Sequence, residues 1–208
     1  MIEVILPFVA AVLALLIIPG PDMALVVANG AAYGKRGAFF TSLGISSGGM
    51  ILALVTSIIV ATAVSASPNL LTVIQLIGCL YLLYIAVITI YPKTSGDTER
   101  KDTEPTKGSL FFRGVITNIA NPKALIFFTA FIPQFIPEAT LNPPLFAFAL
   151  GTILCTIGFV VNFAFGATGS MLNGLNHIAF AERSWSQWAI FIVFFTISLI
   201  FATQLAFS

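Results

Sequence analysis

From Val4 to Ala32 the chain carries one charged residue, Asp22, and it stands where the apolar run cannot be a continuous helix, at Pro19-Gly20-Pro21-Asp22. Proline removes a helix hydrogen bond and glycine loosens the backbone, so a soluble helix would end here. The flanks Val4 to Ile18 and Met23 to Ala28 are too apolar for a surface loop. The break is therefore expected at membrane depth, where irregular backbone survives only if protein buries it or water reaches it. An ionisable side chain at that depth is expensive and marks a functional site.

Five further stretches match the roughly 20 apolar residues that a spanning helix needs: Ala38 to Ala66, Leu70 to Tyr91, Leu110 to Ile136, Leu145 to Gly169 and Gln187 to Phe207. Only 8% of the 208 residues are charged and 58% are hydrophobic, against about 25% charged in soluble domains. The expected class is an all-α integral membrane protein, a single transmembrane domain over residues 1–208, with membrane lipid as its surroundings. A net charge of +1 argues against a nucleic-acid partner. No Lys or Arg precedes the first apolar run and its only early charge is Glu3, so this run is read as a retained span and not a signal peptide. Cys79 and Cys155 lack CxxC or histidine spacing and suggest packing, with neither a disulfide nor a metal site.

Lys35, Arg36, Lys93, Arg100, Lys101, Lys107, Arg113 and Arg183 fall in or beside the connections after spans one, three and five. By the positive-inside rule these connections are cytoplasmic and both termini lie outside. The polar segment from about 92 to 109 reads as a solvated cytoplasmic link. It separates three spans, about 1–91, from three more, about 110–208. Three is odd, so the halves enter the membrane from opposite faces, the 3+3 arrangement of inverted-repeat transporters. Gly30-x-x-x-Gly34 and Gly44-x-x-x-Gly48 suit close helix packing. Pro133 is expected to turn the chain at the outer face, Asn162 to bond a neighbouring helix, His177 to sit in a polar connection, and Trp185 and Trp188 to anchor at the interface.

Each half opens with a broken helix, helices one and four. Gly20 before Pro21, and Asn121 before Pro122, place an N-cap ahead of a proline suited to the first helical position. Two half-helix N-termini facing the interior would present N–H groups and positive dipole ends to an anion. Setting aside Glu3, the charged side chains well inside the spans are Asp22 and Lys123. An amino-acid zwitterion matches them, its ammonium at Asp22 and its carboxylate at Lys123 and the N–H groups beside Pro122. Asn121 would orient the second half-helix, and Pro19, Gly20 and Pro21 would shape the first break. Tyr81 has two readings, as a cavity-lining residue or as part of an interfacial belt. If the partner of Asp22 changes between two conformations, its proton affinity changes too, which makes Asp22 the candidate for proton coupling. The expected function is a secondary transporter of a small amino acid or amino-acid-like metabolite. The alternatives are a passive channel and a structural scaffold with a static Asp22–Lys123 ion pair. An enzyme is not expected: there is no Ser-His-Asp set, metal-ligand cluster, cofactor motif or phosphate loop.

The residues Pro19-Gly20-Pro21-Asp22, the glycines Gly34, Gly44 and Gly48 around a short basic loop, Gly78-Cys79-Leu80-Tyr81-Leu82, and Asn121-Pro122-Lys123 followed by Pro133-Gln134-Phe135 together resemble the LysE/RhtB family of amino-acid exporters. The resemblance spans nearly the whole chain. It implies a small inner-membrane carrier that exports amino acids or related metabolites in exchange for protons, often as an oligomer. Three positions depart from the pattern. Gly49 stands where many members have an acidic residue, Ala86 replaces a common glycine, and the last span is rich in Phe.

Overall fold

A backbone surrounded by lipid must satisfy its own hydrogen bonds, and every regular element among the described residues is helical. The computed structural model describes residues 2–18, 20–66, 106–137 and 139–171, with isolated helical positions at 73, 76, 80, 84, 192, 195, 196 and 199. The elements are α1 (Ile2–Ile17), α2 (Pro21–Ala66), α3 (Lys107–Ala120), α4 (Pro122–Ile126), a π-helical segment (Phe127–Phe131), a 3-10 turn (Ile132–Phe135) and α5 (Pro143–Met171). Two helices, Pro21–Ala66 and Pro143–Gly169, are long and apolar enough to cross a membrane. Lys107–Ala120 with Lys123–Phe135 passes the same test as a pair bent by 61°.

A straight α2 would be about 70 Å long, twice the hydrocarbon thickness. It is instead a helical hairpin. Gly34 has φ 66° and ψ −163°, a conformation favourable only to glycine, and the chain folds back there. The proof is a buried hydrogen bond from Asn29 Nδ2 to Thr41 Oγ1 of 2.9 Å, between positions that a straight helix would hold about 18 Å apart. The loop expected between the first two spans thus shrinks to one residue. Lys35 and Arg36 follow it directly. Lys107, at the start of α3, places its Nζ 5.6 Å from the centroid of the Phe40 ring, which brings these cations to one end of the bundle.

α2 packs along both α3 and α5, and glycines make the approach possible. A methyl group on Gly44 would overlap the Phe111 carbonyl oxygen, one on Gly30 the Gly166 carbonyl, and one on Gly114 the backbone of Thr41. Two hydroxyls tie α2 to α5 across the crossing, Ser46 to the Cys155 carbonyl (3.1 Å) and Ser57 to the Pro144 carbonyl (2.8 Å). α5 begins on Asn142, which caps Leu145 N–H through its side chain. On the outer face of α2, Ile51, Leu54, Val55 and Ile58 are all exposed and recur at i, i+3, i+4 and i+7, a continuous apolar stripe suited to lipid.

α1 buries Phe8, Ala11, Val12 and Leu15 and turns Leu6 and Leu13 outward. Its buried stripe meets the segment after α4. There Phe131 stacks with Phe8 (6.2 Å between centroids) and meets the tilted rings of Phe127 (3.9 Å) and Phe135 (4.7 Å). Pro133 has no N–H, and its ring would strike the Thr129 carbonyl in a regular α-helix. The chain accommodates it with a π turn followed by a 3-10 turn. The expected turn at Pro133 is this 3-10 turn; Pro133 and Gln134 are buried within it, and the exposed exit begins at Pro137.

Candidate functional site

The two helix breaks lie against each other, and each supplies a charged residue in the same register. Pro21 is the first residue of α2 and Asp22 the second; Pro122 is the first of α4 and Lys123 the second. Proline suits this position because its missing N–H would be unsatisfied there anyway. The first break is capped by the Gly20 carbonyl, which accepts from Ala24 N–H at 2.9 Å. Asn121 caps the second twice, its side chain accepting from Lys123 N–H at 3.0 Å and its carbonyl from Leu125 N–H at 3.0 Å.

The charged side chains do not bond each other. Lys123 Nζ donates to the carbonyls of Ile18 (2.8 Å) and Leu15 (3.1 Å), the negative end of α1. Asp22 Oδ2 accepts from Asn118 Nδ2 at 2.8 Å, on the last turn of α3. Each second half-helix thus reaches across to the end of the opposite first half-helix. Asp22 also occupies the positive end of α2 with the chain's own carboxylate. At α4, Pro122 has no N–H and that of Lys123 is taken by Asn121, so few of the N–H groups expected to face an anion remain free.

Between these groups lies a cavity of about 50 Å³. It has room for a few waters. Asp22, Asn118, Asn121 and Lys123 form its polar end, while Leu15, Leu154, Phe127 and Phe128 make much of its apolar wall. Three buried atoms at the polar end, Asp22 Oδ1, Asn118 Oδ1 and Asn121 Nδ2, have no hydrogen-bond partner. Gly49 lies in the wall, where an added methyl would stand 2.8 Å from Cys155 Sγ and 3.4 Å from the Phe128 ring. Asn162 is buried and lines the same cavity.

Of the residues singled out in the sequence, Asp22, Asn121 and Lys123 come together at the cavity. Gly20 packs over Lys123, whose Nζ would be 3.3 Å from a methyl placed there. Pro21 and Pro122 start their half-helices. Pro19 and Tyr81 lie outside the described residues, as do Cys79, His177, Trp185, Trp188 and residues 92–105. The residue that sequence reasoning missed is Asn118. Its only signal was an asparagine one helical turn before Asn121 on an otherwise apolar face, a spacing that puts both amides on one side. Among the described residues no group of His, Cys, Asp and Glu is placed to hold a metal ion.

Broken apolar helices whose ends close on a buried polar cavity define the class, an all-helical membrane protein organised around its own helix breaks. The family is more specific: the chain belongs to the LysE type translocators, whose pattern it matches over residues 13–203. It is thus a transporter and not an enzyme. Among its relatives are the leucine efflux protein of Salmonella typhimurium, 28% identical over 187 residues that cover 81% of this chain and 88% of the relative, and that of Klebsiella pneumoniae, 26% identical over 155 residues that cover 74% and 73%. No solved structure matches the chain.

Proposed function

We propose that this chain is a secondary transporter that exports a neutral aliphatic amino acid, leucine first among the candidates, across the inner membrane in exchange for protons. Its architecture is six spans in a 3+3 inverted repeat, with both termini outside. The observation that carries the reading is the reciprocal tie at the cavity. The second position of each broken helix reaches the end of the other, Asp22 to Asn118 and Lys123 to Leu15 and Ile18, the arrangement that two inverted halves would produce. The apolar wall of Leu15, Leu154, Phe127 and Phe128 suits an aliphatic side chain, and the relatives are leucine efflux proteins.

In this reading the conformation seen here is occluded, with a cavity too small for an amino acid. Opening toward either face breaks the tie of Lys123 to α1 and widens the cavity around Asp22, which stays bonded to Asn118. Asp22 then takes the substrate ammonium or a proton in turn, and Lys123, released from the carbonyls of α1, meets the carboxylate. Alternation of two cations on one carboxylate couples outward amino-acid movement to inward proton movement.

The test is efflux from proteoliposomes loaded with a labelled amino-acid mixture, with and without an imposed pH gradient, for wild type and Asp22→Asn. With the same amino acids outside at equal concentration, the expected result is a fall of internal leucine or a close aliphatic analogue below its external level, driven by the pH gradient and absent in the variant. Leucine movement that never exceeds equilibration would mean a passive channel. No movement of any amino acid through folded wild-type protein would overturn the reading.

A further inference from the structure

The unpartnered atoms at the cavity specify a ligand more closely than the two charges do. Both amide orientations are forced by their satisfied ends. A carboxylate only accepts, so Asn118 must turn its NH2 toward Asp22 Oδ2, leaving Oδ1 bare. A backbone N–H only donates, so Asn121 must turn Oδ1 toward Lys123 N, leaving Nδ2 bare. The remainder is two acceptors, Asp22 Oδ1 and Asn118 Oδ1, and one donor group, Asn121 Nδ2, which is directed toward the Asp22 carboxylate without closing a hydrogen bond. Asn118 and Asn121 are 6% and 2% exposed, where polar atoms are almost always paired.

A ligand that enters between these groups and completes the set needs at least two hydrogens for the acceptors and an acceptor for the Asn121 amide. An ammonium supplies the first, a carboxylate the second, and an α-amino acid joins them through a single carbon. Asn118 and Asn121 lie one turn apart across the break, so one small molecule can reach both. We infer that Asn118 is a substrate ligand, its Oδ1 sharing the ammonium with Asp22, and that Asn121 binds the carboxylate through Nδ2 while its Oδ1 holds the α4 cap. This rests on the amino-acid transporter reading above and assigns its two subsites. The Asn118–Asp22 bond also changes meaning, since it holds the Asp22 carboxylate ready for the ammonium by occupying one oxygen and leaving the other open.

The experiment is binding of labelled leucine to the full chain in lipid nanodiscs, competed by leucinamide, which keeps the ammonium and lacks the carboxylate, and by 4-methylpentanoate, which has the reverse. Asn118→Leu is expected to weaken leucine and leucinamide about tenfold or more and to leave 4-methylpentanoate unchanged. Asn121→Asp keeps the cap oxygen and removes the donor; it is expected to weaken leucine and 4-methylpentanoate and spare leucinamide. If Asn118→Leu does not fold, Asn118→Ala takes its place. Equal weakening of all three compounds by each variant, or no change in any, would overturn the subsites, the second outcome meaning that water completes the bare atoms. Wild-type protein that binds leucine without this pattern sinks the subsites alone. Protein that binds no amino acid sinks the transporter reading and the subsites with it.

Discussion

Lys123 stands at the second position of a helix, the end that disfavours a cation. Its side chain leaves that end and donates to the carbonyls of Leu15 and Ile18, where α1 stops and a cation is favoured. Removing the ammonium leaves the Ile18 carbonyl at the break without its donor, while the Leu15 carbonyl keeps the Ile18 N–H at 3.2 Å. Lys123→Met is therefore expected to lose about 1–3 kcal/mol of stability, read as a lower midpoint of thermal unfolding in detergent; an unchanged midpoint would mean that the tie contributes nothing to the fold. The charge at position 123 was plain in the sequence. Its partners were not, because a lysine deep in an apolar span points to an acid before it points to backbone carbonyls more than a hundred residues earlier. Asn118 was less visible still: polar amides inside spans commonly bond a neighbouring helix, and only folding sets this one opposite Asp22.

The helices show a similar division between what is local and what is not. α2 turns back at Gly34, where nothing lies within 4 Å of an added methyl, so Gly34→Ala meets only the strain of a φ/ψ region essentially confined to glycine, about 1–3 kcal/mol. Gly44 is helical, but the Phe111 carbonyl occupies the place of its methyl, so Gly44→Ala must push α2 and α3 apart. Overpacking of this kind costs about 1–3 kcal/mol, and Gly44→Leu is expected to prevent assembly. Thermal unfolding of Gly34→Ala and Gly44→Ala, with the yield of folded Gly44→Leu, checks both. The spacing Gly44-x-x-x-Gly48 announced a close contact. It did not say that the other side would be α3 with its own glycine, Gly114.

At the scale of the whole molecule, the bent pair of α3 with the segment from Lys123 to Phe135 carries the chain from Lys107 to the exit before Asn142. If this pair is one span, the two residues lie on opposite faces. In Lys107→Cys and Asn142→Cys variants, a membrane-impermeant maleimide is expected to label position 107 from the cytoplasmic side only and position 142 from the outside only; labelling of both from one side would make the pair a re-entrant loop. That the chain is helical and apolar, that its helices break at Gly20-Pro21 and Asn121-Pro122, and that Asp22 and Lys123 stand at those breaks could all be read along the chain. These are local matters, decided by backbone hydrogen bonding in lipid and by proline's missing N–H. It takes the folded arrangement to set Asp22 against Asn118 and Lys123 against the end of α1, to turn the chain back at Gly34, and to leave two acceptors and one donor unpaired at the cavity. Each of those depends on groups distant in sequence, whose pairing is set by how closely glycine-lined helices pack.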